Sequence, residues 1–128
     1  MKHFIATLSL LFLAATMVPG VVSADDADLD MVNARRIKFG LPVLMLDIEM
    51  QRIADIRMQI NIDRGHWGHH RRFGRLLGPF KPARAEGVGY ATSPERWSTC
   101  FSLTRKYTKA GAARKKVGNK YWQILILR

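Results

Sequence analysis

The chain has 128 residues, carries 21 Lys or Arg against 10 Asp or Glu, and has a formal net charge of +11. A chain of this length holds one domain with a modest core and excludes a second. The only cysteine is Cys100, which excludes an intramolecular disulfide, so core packing must hold the fold. The positive charge favours polyanionic partners without specifying which one.

The first 24 residues have the pattern of a secretory signal peptide. Lys2 and His3 give a positive start, residues 4–18 are almost all apolar, and Val22, Ser23 and Ala24 place small residues at a cleavage position. The apolar run is shorter than the ~20 residues of a membrane-spanning helix. The sequence therefore predicts cleavage after Ala24, a mature domain of residues 25–128 without a membrane span, and a secreted or periplasmic location.

Two helices are predicted next. The first runs from Asp28 to Phe39 and stops at Gly40, and the second is capped by Asp47 and continues to about Ile62. Within the second helix Arg57 falls on the apolar side. A charged residue in that position predicts either a buried partner or a place at the edge of the core.

A long basic loop follows, over residues 63–85. Its glycines and prolines break regular structure, and long loops in small domains tend to be functional or disordered. Arginines interleaved with Trp67, Phe73 and Phe80 suit an acidic or sugar ligand, because guanidinium groups pair with anions and aromatic rings stack. The alternative is a loop anchored by its aromatic rings with its charges in water. The candidate anion-binding residues are Arg64, Arg71, Arg72, Arg75 and Arg84.

The remaining pattern predicts a strand over 86–91, a third helix from Ser93 to about Lys106, and a hairpin made of 110–113 and 121–127. Cys100 lies in the middle of the third predicted helix, where the pattern indicates a small buried hydrophobe. Trp97, Tyr121 and Trp122 are predicted to be core residues. The fold class is α+β, with an antiparallel sheet flanked by helices.

Several short motifs in this order resemble the CAP superfamily of cysteine-rich secretory, antigen 5 and pathogenesis-related proteins, also called SCP-like domains. They are Asn33 and Arg36 in the first helix, the run 40–44 followed by Asp47, Ala54 and Met58 in the second helix, the pair Gly68 and His69, the run 86–89, and the final runs 110–112 and 121–122. The resemblance implies a secreted α-β-α sandwich of a trimmed bacterial type.

Members of that family often carry two His and two Glu in a cleft that can bind a divalent metal. By this resemblance His69 matches the first His and Glu86 the first Glu, with His66 and His70 as neighbours that could substitute. The second pair has no counterpart, because the interval from Trp97 to Ala110 contains neither His nor a carboxylate. We therefore expect His69 and Glu86 to meet at the floor of one cleft without a complete metal site.

The sequence favours a non-enzymatic domain that binds an extracellular ligand through this cleft and the basic loop. We predict a monomer, with an acidic polysaccharide or lipid as partner; secretion argues against nucleic acid. No catalytic residue and no required cofactor is assigned. One alternative is a secreted metal-dependent hydrolase using His66, His69 and Glu86, since three ligands and a water suit zinc. Another is a polyanion-binding module that acts through the basic loop and the C-terminal third.

Overall fold

The computed structural model describes residues 24–70 and 80–128. The predicted signal segment lies outside these residues, apart from Ala24, and its cleavage stays a prediction. Among the helices of the described residues, none is long and apolar enough to cross a membrane.

Within the described residues, two helices pack on a four-stranded mixed sheet. Helix α1 spans Ala24–Lys38 and α2 spans Ile48–Arg64. The strands are β1 (Met45–Leu46), β2 (Ala85–Ala91), β3 (Lys109–Val117) and β4 (Lys120–Leu127), in the spatial order β1-β3-β4-β2. The α+β class is confirmed. The sheet is mixed and not purely antiparallel as expected, because the two-residue strand β1 pairs in parallel with β3.

Local chemistry explains where α2 begins and ends. The carboxylate of Asp47 accepts hydrogen bonds from the backbone N–H groups of Glu49 and Met50 at 3.0 and 3.2 Å, as an N-cap residue does. Gly65 ends the helix in the left-handed conformation, with φ of 62°, which glycine adopts without steric cost. The chain therefore leaves α2 sharply and turns back toward the sheet.

In the part of the chain that the structure describes, the core has two clusters of buried side chains. One contains Met50, Ile53, Ala54 and Met58 of α2 together with Val88, Trp122, Ile124 and Ile126. The other contains Leu29 and Val32 of α1 together with Trp97, Leu125 and Leu127. Consecutive residues of β4 alternate between the two clusters, as the period of a strand requires. Burial of Trp97 and Trp122 confirms their prediction as core residues, whereas Tyr121 is only half-buried.

The third predicted helix is wrong. Residues 92–108 form turns and irregular backbone. Phe101 has a φ of 63°, which interrupts any helix at that point. The backbone of this segment lies directly against β2, because a Cβ placed on Gly89 would come within 2.6 Å of the Ser98 carbonyl oxygen. The spacing of Trp97, Phe101 and Thr104 imitates a helical period without producing a helix.

Candidate functional site

The site is built on a buried ion pair between α2 and β2. The guanidinium of Arg57 donates from Nε to Oε2 of Glu86 at 2.5 Å, and their side chains are 0% and 1% exposed. The position of Arg57 on the apolar face left a buried partner or an edge position open, and the structure shows the buried partner. A buried ion pair needs further hydrogen bonds to offset the loss of hydration. Arg57 Nη2 supplies one such bond to the carbonyl oxygen of Gly68 at 3.0 Å.

The segment after α2 crosses the edge strand β2 beside this ion pair. The backbone N–H of His70 donates to Oε1 of Glu86 at 3.2 Å. Together with the bond from Arg57 to Gly68, this contact ties both ends of the run 68–70 to buried charges. The loop is thereby ordered where it passes the carboxylate.

His69 lies between these two anchored residues. Its Nδ1 is 3.1 Å from Oε1 of Glu86, and its side chain is 55% exposed. The prediction that His69 and Glu86 approach each other is confirmed. A carboxylate that receives N–H groups from Arg57 and His70 acts as an acceptor, which favours the tautomer of His69 with its hydrogen on Nδ1. In the neutral ring the other nitrogen, Nε2, then presents a lone pair.

Cys100 faces that second nitrogen. Its Sγ is 3.7 Å from Nε2 of His69, and the residue is exposed. The prediction of a buried Cys100 is therefore wrong, because the helix that would have buried it does not form. The backbone N–H of Val88 donates to the same sulfur at 3.3 Å. Sulfur, imidazole and carboxylate thus form one connected row at the edge of β2.

Gly87 explains how Cys100 reaches this edge. A Cβ at Gly87 would lie 2.2 Å from the Cys100 carbonyl oxygen, which is far inside van der Waals contact. Only glycine allows the two backbones to approach so closely. The two glycines of β2 are the sequence signal for this approach, since they indicate that another segment lies against the strand.

An exposed group further along β2 adjoins the row. The rings of Trp67 and Tyr90 meet edge to face with centroids 4.9 Å apart, and Nζ of Lys120 lies 4.5 Å from the centroid of Tyr90. We call Trp67, Tyr90 and Lys120 the aromatic–lysine patch. Trp67 is two residues before His69, and Tyr90 is four residues after Glu86 on the same strand, so the patch and the row share one surface.

Two further predicted ligand residues are histidines that neighbour His69 in the sequence. His66 is exposed, and His70 is half-buried with its ring 5.4 Å from that of Phe80. Arg64 and Arg84 are exposed on the surface. Arg71, Arg72 and Arg75 lie outside the described residues, as does Phe73, so their prediction as anion-binding residues stays a prediction.

A divalent metal does not fit this site. Over residues 24–70 and 80–128, no three His, Cys, Asp or Glu side chains are arranged to bind an ion, so the predicted cluster of His66, His69 and Glu86 does not form. The carboxylate of Glu86 is already paired with a guanidinium, whose positive charge would repel a dication. The residues present therefore favour hydrogen bonding over metal coordination.

One buried donor at the site has no partner within the described part of the chain. Nη1 of Arg57 is buried and makes no hydrogen bond there. A buried N–H group without a partner costs free energy, so this nitrogen marks a position where a water molecule or another acceptor would be favourable. It belongs to the same guanidinium that neutralises Glu86.

Sequence reasoning found His69 and Glu86 but missed Cys100, Tyr90 and Lys120. Compared with models of known protein families, with curated proteins and with solved structures, the chain gives no significant match.

Proposed function

We propose that this chain is a secreted, non-enzymatic CAP-like domain that binds an acidic polysaccharide. The ligand lies along β2, over the aromatic–lysine patch and the exposed ring of His69. The observation that carries the proposal is the shared surface of these four side chains, which combines two exposed aromatic rings with a lysine and an imidazole.

The two core clusters support an α-β-α sandwich. Because α1 contributes to one cluster and α2 to the other, and β4 alternates between them, the helices belong to opposite faces of the sheet. The resemblance motifs also make specific contacts. Asn33 exchanges two hydrogen bonds with the backbone of Leu44, at 2.8 and 3.0 Å, so two of the motif residues join the first helix to the following link.

The chemistry of the surface supports a saccharide ligand with acidic groups. Aromatic rings offer apolar faces to sugar rings, and their polar edges remain in water. Lys120 supplies a positive charge that a uronic carboxylate or a sulfate would pair with. Residues 25–128 carry 20 Lys or Arg against 10 Asp or Glu, and this positive excess attracts such a polymer from a distance.

Calorimetric titration of the purified protein with an oligogalacturonate tests the proposal. A neutral oligogalactoside of equal length is the control ligand. We expect Trp67→Ala and Lys120→Gln each to weaken binding by about tenfold, which is about 1.4 kcal/mol. Phe39→Ala and Lys38→Gln remove an exposed aromatic ring and an exposed lysine at the end of α1, and should leave affinity within about twofold.

Two outcomes of the titrations would contradict the proposal. If all four variants weaken binding alike and affinity falls steeply with salt, the protein is a general polyanion-binding module without a defined site. Equal affinity for the neutral oligomer would exclude the role of Lys120.

A further inference from the structure

Cys100 lies in a setting that saccharide binding does not require. We propose that Cys100 is a thiol-exchange site, which forms a mixed disulfide with a small-molecule disulfide. His69 receives the thiol proton and Glu86 holds the His69 ring in position. This inference goes beyond the proposed function, since it concerns covalent modification of the protein and would hold for any saccharide ligand or none.

Glu86 orients His69 so that its ring can accept the thiol proton. Oε1 and Oε2 of Glu86 receive N–H groups from Arg57 and His70, so the carboxylate is an acceptor toward Nδ1 of His69 as well. That contact leaves the lone pair of Nε2 directed to Sγ of Cys100, 3.7 Å away. A nucleophile, a base within reach and a third group that orients the base are the signature of an activated thiol.

The surroundings of the sulfur also favour its reaction. The Val88 N–H bond to Sγ, at 3.3 Å, stabilises the negative charge that develops when the thiol loses its proton. The close approach of the Cys100 backbone to Gly87 fixes the sulfur at the edge of β2. Phe101 has a φ of 63° immediately after the cysteine, and Cys100 itself is exposed to a reagent in solvent.

Disulfide exchange is the reaction that this row supports. Cys100 Sγ attacks one sulfur of a disulfide RSSR, a new S–S bond joins Sγ to that sulfur, and the S–S bond of RSSR breaks. The thiol proton passes to Nε2 of His69 and then to the leaving thiolate, which departs as RSH. The step needs no oxyanion site. The chain has only one cysteine, so no internal thiol can displace the adduct, which persists until a second thiol arrives.

The rate of adduct formation with oxidised glutathione, followed by mass spectrometry of the intact protein at neutral pH, tests the inference. Cys100→Ser should form no adduct. His69→Ala should react at least about tenfold more slowly, as expected for loss of a general base. His66→Ala is the matched control, because it removes an exposed imidazole three residues away, and its rate should stay within about twofold of the unmodified protein.

Free imidazole distinguishes a proton acceptor from a structural role. We expect added imidazole to restore most of the rate of His69→Ala and to leave that of His66→Ala unchanged. Equal rates for the two histidine variants would overturn the inference. A slow His69→Ala protein that imidazole does not rescue, although its thermal unfolding matches that of His66→Ala, would also overturn it. Neither result bears on polysaccharide affinity, which calorimetry measures separately.

Discussion

Two buried arginines, one on each helix, have different partners. Arg36 of α1 donates to three backbone carbonyl oxygens, those of Pro42, Ser102 and Thr104, at 2.8, 3.1 and 2.7 Å. Arg57 of α2 instead meets the carboxylate of Glu86. Burial lowers the pKa of the Arg36 guanidinium below its ordinary value, and the positive charge of Arg105 adds to this shift.

The difference separates a structural charge from one that supports a site. The partners of Arg36 cannot titrate or react, and they join α1 to the link after it and to the segment 102–104. The partner of Arg57 is the carboxylate of Glu86, which also contacts the exposed His69. His69 in turn faces the exposed Cys100. The contacts of Arg57 thus extend through Glu86 to exposed side chains, whereas the contacts of Arg36 end at backbone carbonyl groups inside the protein.

Removing Arg57 should have the largest effect on stability. Arg57→Met leaves Glu86 buried without its cation, and we expect the free energy of unfolding to fall by about 3–5 kcal/mol. Urea unfolding followed by circular dichroism measures this loss. The double variant Arg57→Met with Glu86→Leu should recover much of it, because no buried charge remains. A loss of under about 1 kcal/mol in the single variant would show that Glu86 reaches water.

Removing Arg36 should lower the free energy of unfolding by a smaller amount, and no single second substitution should restore it. Arg36→Met leaves carbonyl groups without donors, and we expect a loss of about 2–3 kcal/mol, which is typical of charged hydrogen bonds. The same urea experiment applies. Hydrogen exchange should increase in the segment 102–104 and not at β2. Increased exchange at β2 instead would contradict the separation of the two regions.

Gly87→Ala should disturb the sulfur more than the fold. The new methyl group displaces the Cys100 backbone, and we expect a loss of about 1–3 kcal/mol, typical of overpacking, together with slower adduct formation. Gly40→Ala is the control, since a Cβ there meets open space but strains a φ of 67°. Gly40→Ala should lower stability without slowing Cys100. Equal slowing in both variants would show that general destabilisation controls the thiol.

Chelation should have the smallest effect. Because no three ligand side chains converge within the described residues, we expect excess EDTA to shift the unfolding midpoint by less than about 1 °C. A clear fall in the midpoint, reversed by zinc, would contradict this expectation and revive the metal-dependent alternative.

The helices and the hairpin were predictable because their signals are local. Asp47 caps α2 and Gly65 ends it, and the turn at Gly118 joins β3 to β4. The segment 92–108 was not predictable, since its conformation depends on contacts with Gly87 and Gly89 of a distant strand. A helical spacing of Trp97 and Thr104 could not reveal that these glycines allow backbone to pack against backbone.

The residues of the site also differ in how far the sequence predicted them. His69 and Glu86 were predicted from the resemblance, and a buried partner was one of two possibilities that the place of Arg57 on an apolar helix face left open. Cys100 was misassigned because its burial was deduced from a helix that does not form. Lys120 and Tyr90 gave no signal of their own, since a half-buried lysine and an exposed tyrosine in strands are ordinary, and only the fold places them beside Trp67.

The alignment of Glu86, His69 and Cys100 is the central claim, and the tautomer of His69 tests it most directly. Nitrogen-15 NMR of protein labelled at the histidine rings distinguishes Nδ1–H from Nε2–H. We predict that the neutral His69 ring carries its hydrogen on Nδ1, toward Glu86, and leaves Nε2 free to accept the Cys100 proton. A neutral ring protonated on Nε2 would contradict the account, because no lone pair would then face the sulfur.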